Sequence, residues 1–133
     1  MRTRASVILV DKNKILLIYC FKNNKGYYVF PGGEVEKNET PQEAAVRELK
    51  EETNINVKLD NLFCYFEDNF HKGYYFLAKS FKKNKLRING PESEVNPEEK
   101  VYKPVWIQLS KLKEITLFPE EIKEKVIKLY LVP

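Results

Sequence analysis

Over the first thirty residues apolar positions come in short runs set apart by polar breaks: ASVILV at 5–10, ILLIYC at 15–20 and YYVF at 27–30, separated by DKNK and FKNNKG. Runs of this length, rich in Val, Ile, Leu and Tyr and bounded by Asn, Lys and Gly, predict β-strands. The short DKNK break predicts that the first two strands pair as a hairpin. The period then changes, and a helix is expected over 40–53. Thr40 can cap its first turn, Pro41 suits the first helical position, and Glu43 completes a capping box. Asn54 tolerates the left-handed conformation that commonly ends helices, so the helix is expected to stop there.

Further strands are expected at 55–59, 62–67 and 73–81, with a shorter one at 85–88. The polar stretch NGPESEVNPEEK then reads as an exposed loop. YKPVWIQL returns to strand character around Val105, Trp106 and Ile107. The closing PEEIKEKVIKLYL carries acids first and lysines later, as a helix dipole prefers, with Ile122, Val126, Ile127 and Tyr130 on its apolar side. Strands, a helix, more strands and a second helix predict an α/β fold, a mixed sheet with helices packed against it, in a single domain over 1–133.

Composition agrees with a globular chain: 43% hydrophobic and 32% charged residues in 133 lie outside the disordered range and supply a real core. The longest apolar runs are too short to span a bilayer, and MRTRASVILVDK lacks a signal core before charge returns, so a cytoplasmic protein with no membrane partner is expected. Cys20 and Cys64 sit in separate strand-like runs, which predicts buried, reduced thiols. His71, the single histidine, has no second His or Cys near it and makes no zinc site. The net charge of +4 is spread over many lysines, with a local cluster at Lys82, Lys83 and Lys85. Such a spread is an ordinary solvated surface that also favours an anionic substrate. Without a basic stripe interleaved with aromatics, specific nucleic-acid binding is not expected.

RELKEETNI, at 47–55, adds a chemical question. On the expected helix Glu48, Glu51 and Glu52 are three and four apart, so they share a face and repel one another by about 0.2–0.5 kcal/mol per pair. At 100° per residue from Glu48, Glu51 falls at about 300° and Glu52 at about 40°, while Ala45 lies near 60° and Leu49 near 100°. Glu52 therefore borders the apolar stripe instead of opposing it, and a carboxylate at that seam needs a cation or several hydrogen bonds. Clustered carboxylates suit Mg²⁺ or Mn²⁺, and magnesium is commonly completed by waters and substrate phosphates. The helix alone equally admits an exposed Lys/Glu-laced surface in which Glu43–Arg47 and Arg47–Glu51 are simple i,i+4 pairs. The preceding FPGGEVEKNET places Pro31, Gly32 and Gly33 between strand and helix, where glycines permit tight turns and close approach of backbone to a ligand.

Taken together, GEVEKNETPQEAAVRELKEETNI from Gly33 to Ile55 resembles the signature of the Nudix hydrolase family: a glycine, five residues, a glutamate, seven residues, then Arg-Glu-aliphatic-any-Glu-Glu-any-Gly-aliphatic. Gly33, Glu39, Arg47, Glu48, Leu49, Glu51, Glu52 and Ile55 match in register. Asn54 stands where the family has glycine, a mild departure since asparagine adopts the same helix-ending conformation. YVFPGG, PVWIQL and LFPEE are also similar to family segments.

The resemblance implies an α/β/α sandwich with a central mixed sheet. It also implies metal-dependent hydrolysis of the pyrophosphate linkage in a nucleoside diphosphate derivative, with Mg²⁺ or Mn²⁺ as cofactor and a small-molecule nucleotide as substrate. Glu48, Glu51 and Glu52 would be metal ligands, joined by the Gly33 carbonyl, and Arg47 would orient them through Glu39. Glu52 and Glu48 are both candidate general bases. A further acidic ligand is expected from a later loop, Glu99 or Glu98, with Glu92 and Glu94 behind them. Phe118 could stack on a base and Glu120 accept from a purine edge, though packing and a helix-dipole role explain them equally well. Tyr74 and Tyr75 lie where some dinucleoside polyphosphate hydrolases carry a tyrosine. No proline lies between Asn54 and Gly90, where ADP-ribose hydrolases often have one, which lowers the weight of that substrate. A modified nucleoside triphosphate, a sensing module that has lost the reaction, and a nucleotide end of RNA are the alternatives, in a monomer or homodimer.

Overall fold

The computed structural model describes residues 2–82 and 101–131. In chain order the elements are β1 (Arg2–Ile8), β2 (Val10–Asp11), β3 (Lys14–Lys22), β4 (Lys25–Val29), β5 (Gly32–Glu34) and α1 (Pro41–Thr53). After them come β6 (Asn56–Glu67), β7 (His71–Lys82), β8 (Val101–Gln108), a 3₁₀ turn (Leu109–Glu114), β9 (Leu117–Phe118) and α2 (Glu120–Tyr130). They form two compact units, each with its own mixed sheet.

The first unit contains β1, β5, α1, β6 and β7, with strand order β5-β1-β7-β6. β1 runs parallel to β7 and antiparallel to β5. Ala5 to Leu9 are buried, and α1 covers β1 and β5 with buried Ala44, Ala45 and Leu49. Because α1 ends where β6 begins, Ile55 and Val57 also enter this core.

The second unit contains β2, β3, β4, β8, β9, the 3₁₀ turn and α2. Its strands run β2-β3-β4-β9, with β8 on β3 and β9 parallel to β4. Ile15, Leu16, Leu17 and Ile18 are all buried, so β3 reads as a continuous apolar run because it is covered on both faces. Helix α2 buries Ile122, Val126 and Ile127; Tyr130, expected on the same stripe, is exposed.

The α/β class and the mixed pairing hold, with strands distributed over two mixed sheets. The expected hairpin of 5–10 with 15–20 shrinks to Val10–Asp11 against Lys14–Ile15, turning at Lys12 and Asn13, both at positive φ. The residues before it pair instead with β7, Ala5 with Tyr74 through Ile8 with Leu77, a non-local partner that buries both faces of a central strand. The expected strands at 55–59 and 62–67 are one strand, whose register shifts between Lys58 and Cys64 absorb the polar Asp60–Asn61 step as bulges. The strand expected at 85–88 and the loop after it lie outside the described residues. Cys20 is buried and Cys64 half-buried, neither in a disulfide. No helix among the described residues is long and apolar enough to cross a membrane.

Candidate active site

The site is built on α1, whose ends are fixed by local chemistry. The Thr40 hydroxyl accepts from the Glu43 N–H at 3.1 Å, and Glu43 accepts from the Thr40 N–H at 2.9 Å, closing the capping box around Pro41. At the other end Asn54 adopts φ 65°, ψ 25°, its N–H donating to the Lys50 carbonyl at 2.9 Å. Lys50 Nζ donates to Asn54 Oδ1, also at 2.9 Å.

Between these caps Arg47 hydrogen-bonds to four acidic or carbonyl partners and pairs with Glu36 at 3.7 Å. Its Nε and Nη2 donate to the two oxygens of Glu39 at 2.7 and 3.0 Å, a bidentate pair. Nη1 donates to Glu48 at 2.8 Å and to Glu51 at 3.3 Å, and Nη2 also reaches the Glu34 carbonyl at 3.0 Å. Glu39 in turn accepts from the Glu36 N–H at 3.0 Å, which ties the approach loop to the helix. The hydrogen bond from Arg47 holds the Glu39 carboxyl below its ordinary value, and the same bond raises Arg47 further above its own. Arg47 thus draws Glu48 and Glu51 together against their mutual repulsion, and the i,i+4 contact to Glu51 is the longest of its hydrogen bonds.

Glu52 points elsewhere, into the seam that its angular position predicted. It accepts from the Gly32 N–H at 2.8 Å. Burial pushes its carboxyl up to about 7, and the charges of Glu48 and Glu51 add to this against the Gly32 hydrogen bond and the positive Arg4.

Gly32 and Gly33 lie in extended β5, and no glycine among the described residues has a positive φ. Their role is clearance, not a turn. A Cβ on Gly33 would overlap the Glu48 carboxylate, and one on Gly32 would overlap the Ala5 carbonyl and Ser6.

No three His, Cys, Asp or Glu among the described residues converge on one point in ligating geometry. Two of the carboxylates are drawn to Arg47 and the third to Gly32. The donor set nonetheless fits a hard divalent ion: three carboxylates on one helix face, one at the seam with its charge disfavoured, over a glycine backbone with no side chain in the way.

The remaining expected residues are dispersed. Tyr75 is only 6% exposed, its ring lies over Gly73, and burial pushes its hydroxyl up to about 12. Phe118 and Glu120 belong to the second unit. Phe118 is 50% exposed with its ring edge-on to Tyr27 at 5.8 Å, and Glu120 is exposed in the first turn of α2. Glu92, Glu94, Glu98 and Glu99 lie outside the described residues. Arg4, which acts electrostatically on Glu52, was not singled out from the sequence. Its signal was a charged residue at the same alternation phase as buried Ser6 and Ile8 on β1.

Comparison with known proteins adds relatives to this geometry. A model of the NUDIX domain matches residues 1–129. An 8-oxo-dGTP diphosphatase of Proteus vulgaris is 33% identical over 94 residues, covering 56% of this chain and 84% of the relative. An ADP-ribose pyrophosphatase of Methanocaldococcus jannaschii is 53% identical over 57 residues, 41% of this chain and 33% of that protein, so the chain spans about a third of that relative's length. Among solved structures, the E. coli ORF135 protein superposes with a TM-score of 0.76 at 21% identity, over 98% of this chain and 91% of that one.

Proposed function

The chain belongs to the Nudix family of pyrophosphohydrolases, as a nucleotide pyrophosphatase, and from that premise we propose that it uses Mg²⁺ or Mn²⁺ to cleave the pyrophosphate linkage of a nucleoside triphosphate, a modified purine among them. The observation that carries the reading is the network in which Arg47 ties Glu39, Glu48 and Glu51 together beside the Gly32–Gly33 strand, with Glu52 on the Gly32 N–H.

Glu48, Glu51 and Glu52 would hold the ion, with the Gly33 carbonyl as a further donor and Glu99 as the candidate from the later loop. Bound there, a divalent ion supplies neutralisation of phosphate charge and acidification of the attacking water. The chain's own residues do the rest. Arg47, locked by Glu39, fixes the orientation of Glu48 and Glu51, and a fixed ligand shell is what holds a reacting phosphorus in line. Glu52, held at the buried seam by the Gly32 N–H, would take the proton as the water oxygen bonds to phosphorus and the bridging P–O bond breaks. Glu48 is the alternative base.

For the substrate, Phe118 offers an exposed ring for stacking and Glu120 an acceptor for a purine edge. Tyr75 is too deeply buried to stack on a base, and its part is in the packing of the sheet below the site. The relatives named 8-oxo-dGTP diphosphatase favour a purine triphosphate over the ADP-ribose named for the shorter match.

A panel of nucleoside triphosphates, 8-oxo-dGTP, ADP-ribose and dinucleoside polyphosphates, incubated with Mg²⁺ or Mn²⁺ and resolved by chromatography, tests this. A triphosphate is expected to give its monophosphate and pyrophosphate fastest. Tight binding without hydrolysis of any member would replace the enzyme reading with a sensing one.

A further inference from the structure

Glu52, the buried member of the acidic cluster, is acted on from the sheet by a positive charge that the hydrogen-bond network does not use. On β1, Arg4 lies opposite Glu34 of β5 and Gly73 of β7, and Ser6 lies opposite Gly32 and Tyr75. Residues opposite one another and two apart share a face, so Arg4 and Ser6 stand in one row with Gly32, Gly73 and Tyr75. Glu52 reaches this row through its hydrogen bond from Gly32, and the Arg4 charge acts on both Glu52 and Tyr75.

The two arginines of the site differ in how their donors are used. Arg47 spends Nε, Nη1 and Nη2 on protein oxygens. Arg4 is half-buried, yet among the described residues its guanidinium makes no hydrogen bond and no salt bridge. Its cross-strand carboxylate, Glu34, lies 3.8 Å from Arg2 instead. Gly73, on its other side, brings no side chain of its own and is covered by the Tyr75 ring. A partly desolvated guanidinium with unused donors is unfavourable until an anion meets it, and its planar fork matches phosphate oxygens in pairs.

We propose that Arg4 is the phosphate-holding residue of this site, its N–H groups taking non-bridging oxygens of the substrate's pyrophosphate on the sheet side of the glutamates. The assignment rests on the pyrophosphatase reading and adds the group that meets the anion. It also gives the site opposite charges for opposite ligands: carboxylates for the cation, Arg4 for the phosphates.

That division predicts effects of opposite sign. Titration calorimetry compares wild type, Arg4→Gln and Arg4→Lys with Mg²⁺ alone and with inorganic pyrophosphate in Mg²⁺, each at several pH values. Arg4→Gln should weaken pyrophosphate binding at least about tenfold while Mg²⁺ binding holds or tightens, since a repelling charge has gone. Arg4→Lys should fall between, keeping the charge and losing the fork. For a nucleotide that is turned over, KM should rise more than kcat falls. Absence of pyrophosphate binding by wild type, or equal pyrophosphate affinity in Arg4→Gln, overturns the proposal. So does parallel loss of Mg²⁺ and pyrophosphate binding in both variants, which marks a structural role. If wild type hydrolyses no nucleotide but the pyrophosphate effect appears, the hydrolase reading falls and Arg4 as an anion holder stands.

Discussion

Glu52 and Glu39 are carboxylates of one site in opposite surroundings, and the pH responses they impart run in opposite directions. Burial raises Glu52 from 4.5 to about 7, so between those values the folded metal-free protein holds a proton that the unfolded chain has lost. Its contribution to stability is therefore greatest at low pH and is lost as pH rises through about 7. A cation must displace that proton. Mg²⁺ affinity is expected to climb as pH rises through this range, with proton release measurable by calorimetry in buffers of different ionisation enthalpy. Glu52→Gln should abolish the release. Glu39 is lowered by Arg47, so its contribution is present above 4.5 and fades as pH falls through its depressed folded value. The stability difference between wild type and Glu39→Gln, read from denaturant melts, should shrink on acidification below 4.5. At this scale the three helix glutamates were legible because helical angles follow from sequence alone. Arg4 was not, because its meaning depends on which strands flank β1.

For the elements, α1 was readable almost to the residue, since Thr40, Pro41, Glu43 and Asn54 act through contacts within a few positions of the chain. Asn54→Ala should cost about 1 kcal/mol by forcing a Cβ-bearing residue without a compensating side-chain hydrogen bond into the left-handed region, and a melting curve measures it. β5 was read as part of the loop between strand and helix and is a strand. Its glycines answer steric demands made by Ala5, Ser6 and Glu48, which only three-dimensional pairing reveals. The two glycines should accordingly fail differently. A Cβ at Gly32 meets the Ala5 carbonyl and the Ser6 backbone, so Gly32→Ala is expected to lose about 1–3 kcal/mol of stability. At Gly33 the obstacle is the movable end of Glu48, so Gly33→Ala should leave the melting point nearly unchanged and weaken Mg²⁺ affinity by about 10–100-fold.

Across the whole molecule, the strand content and class were legible, but the partners of the first strand were not. A run such as ASVILV pairs equally well by period with the next run or with a distant one; burial of Ala5 to Ile8 on both faces of a central strand selects the distant β7. The signature was legible because its spacing is a local property of one loop and one helix. Substrate choice was not, since Phe118 and Glu120 acquire meaning only with a base beside them. The proposed function has carboxylates of α1 and a divalent ion together hydrolyse a nucleotide pyrophosphate. It is tested most directly by steady-state turnover of the best nucleotide from the panel by wild type and Glu52→Gln, at saturating Mg²⁺ and after chelation. Glu52→Gln, still folded, is expected to lose at least about a hundredfold in kcat, and chelation is expected to silence the wild type. Equal turnover by the two proteins, or undiminished wild-type activity after chelation, would contradict it.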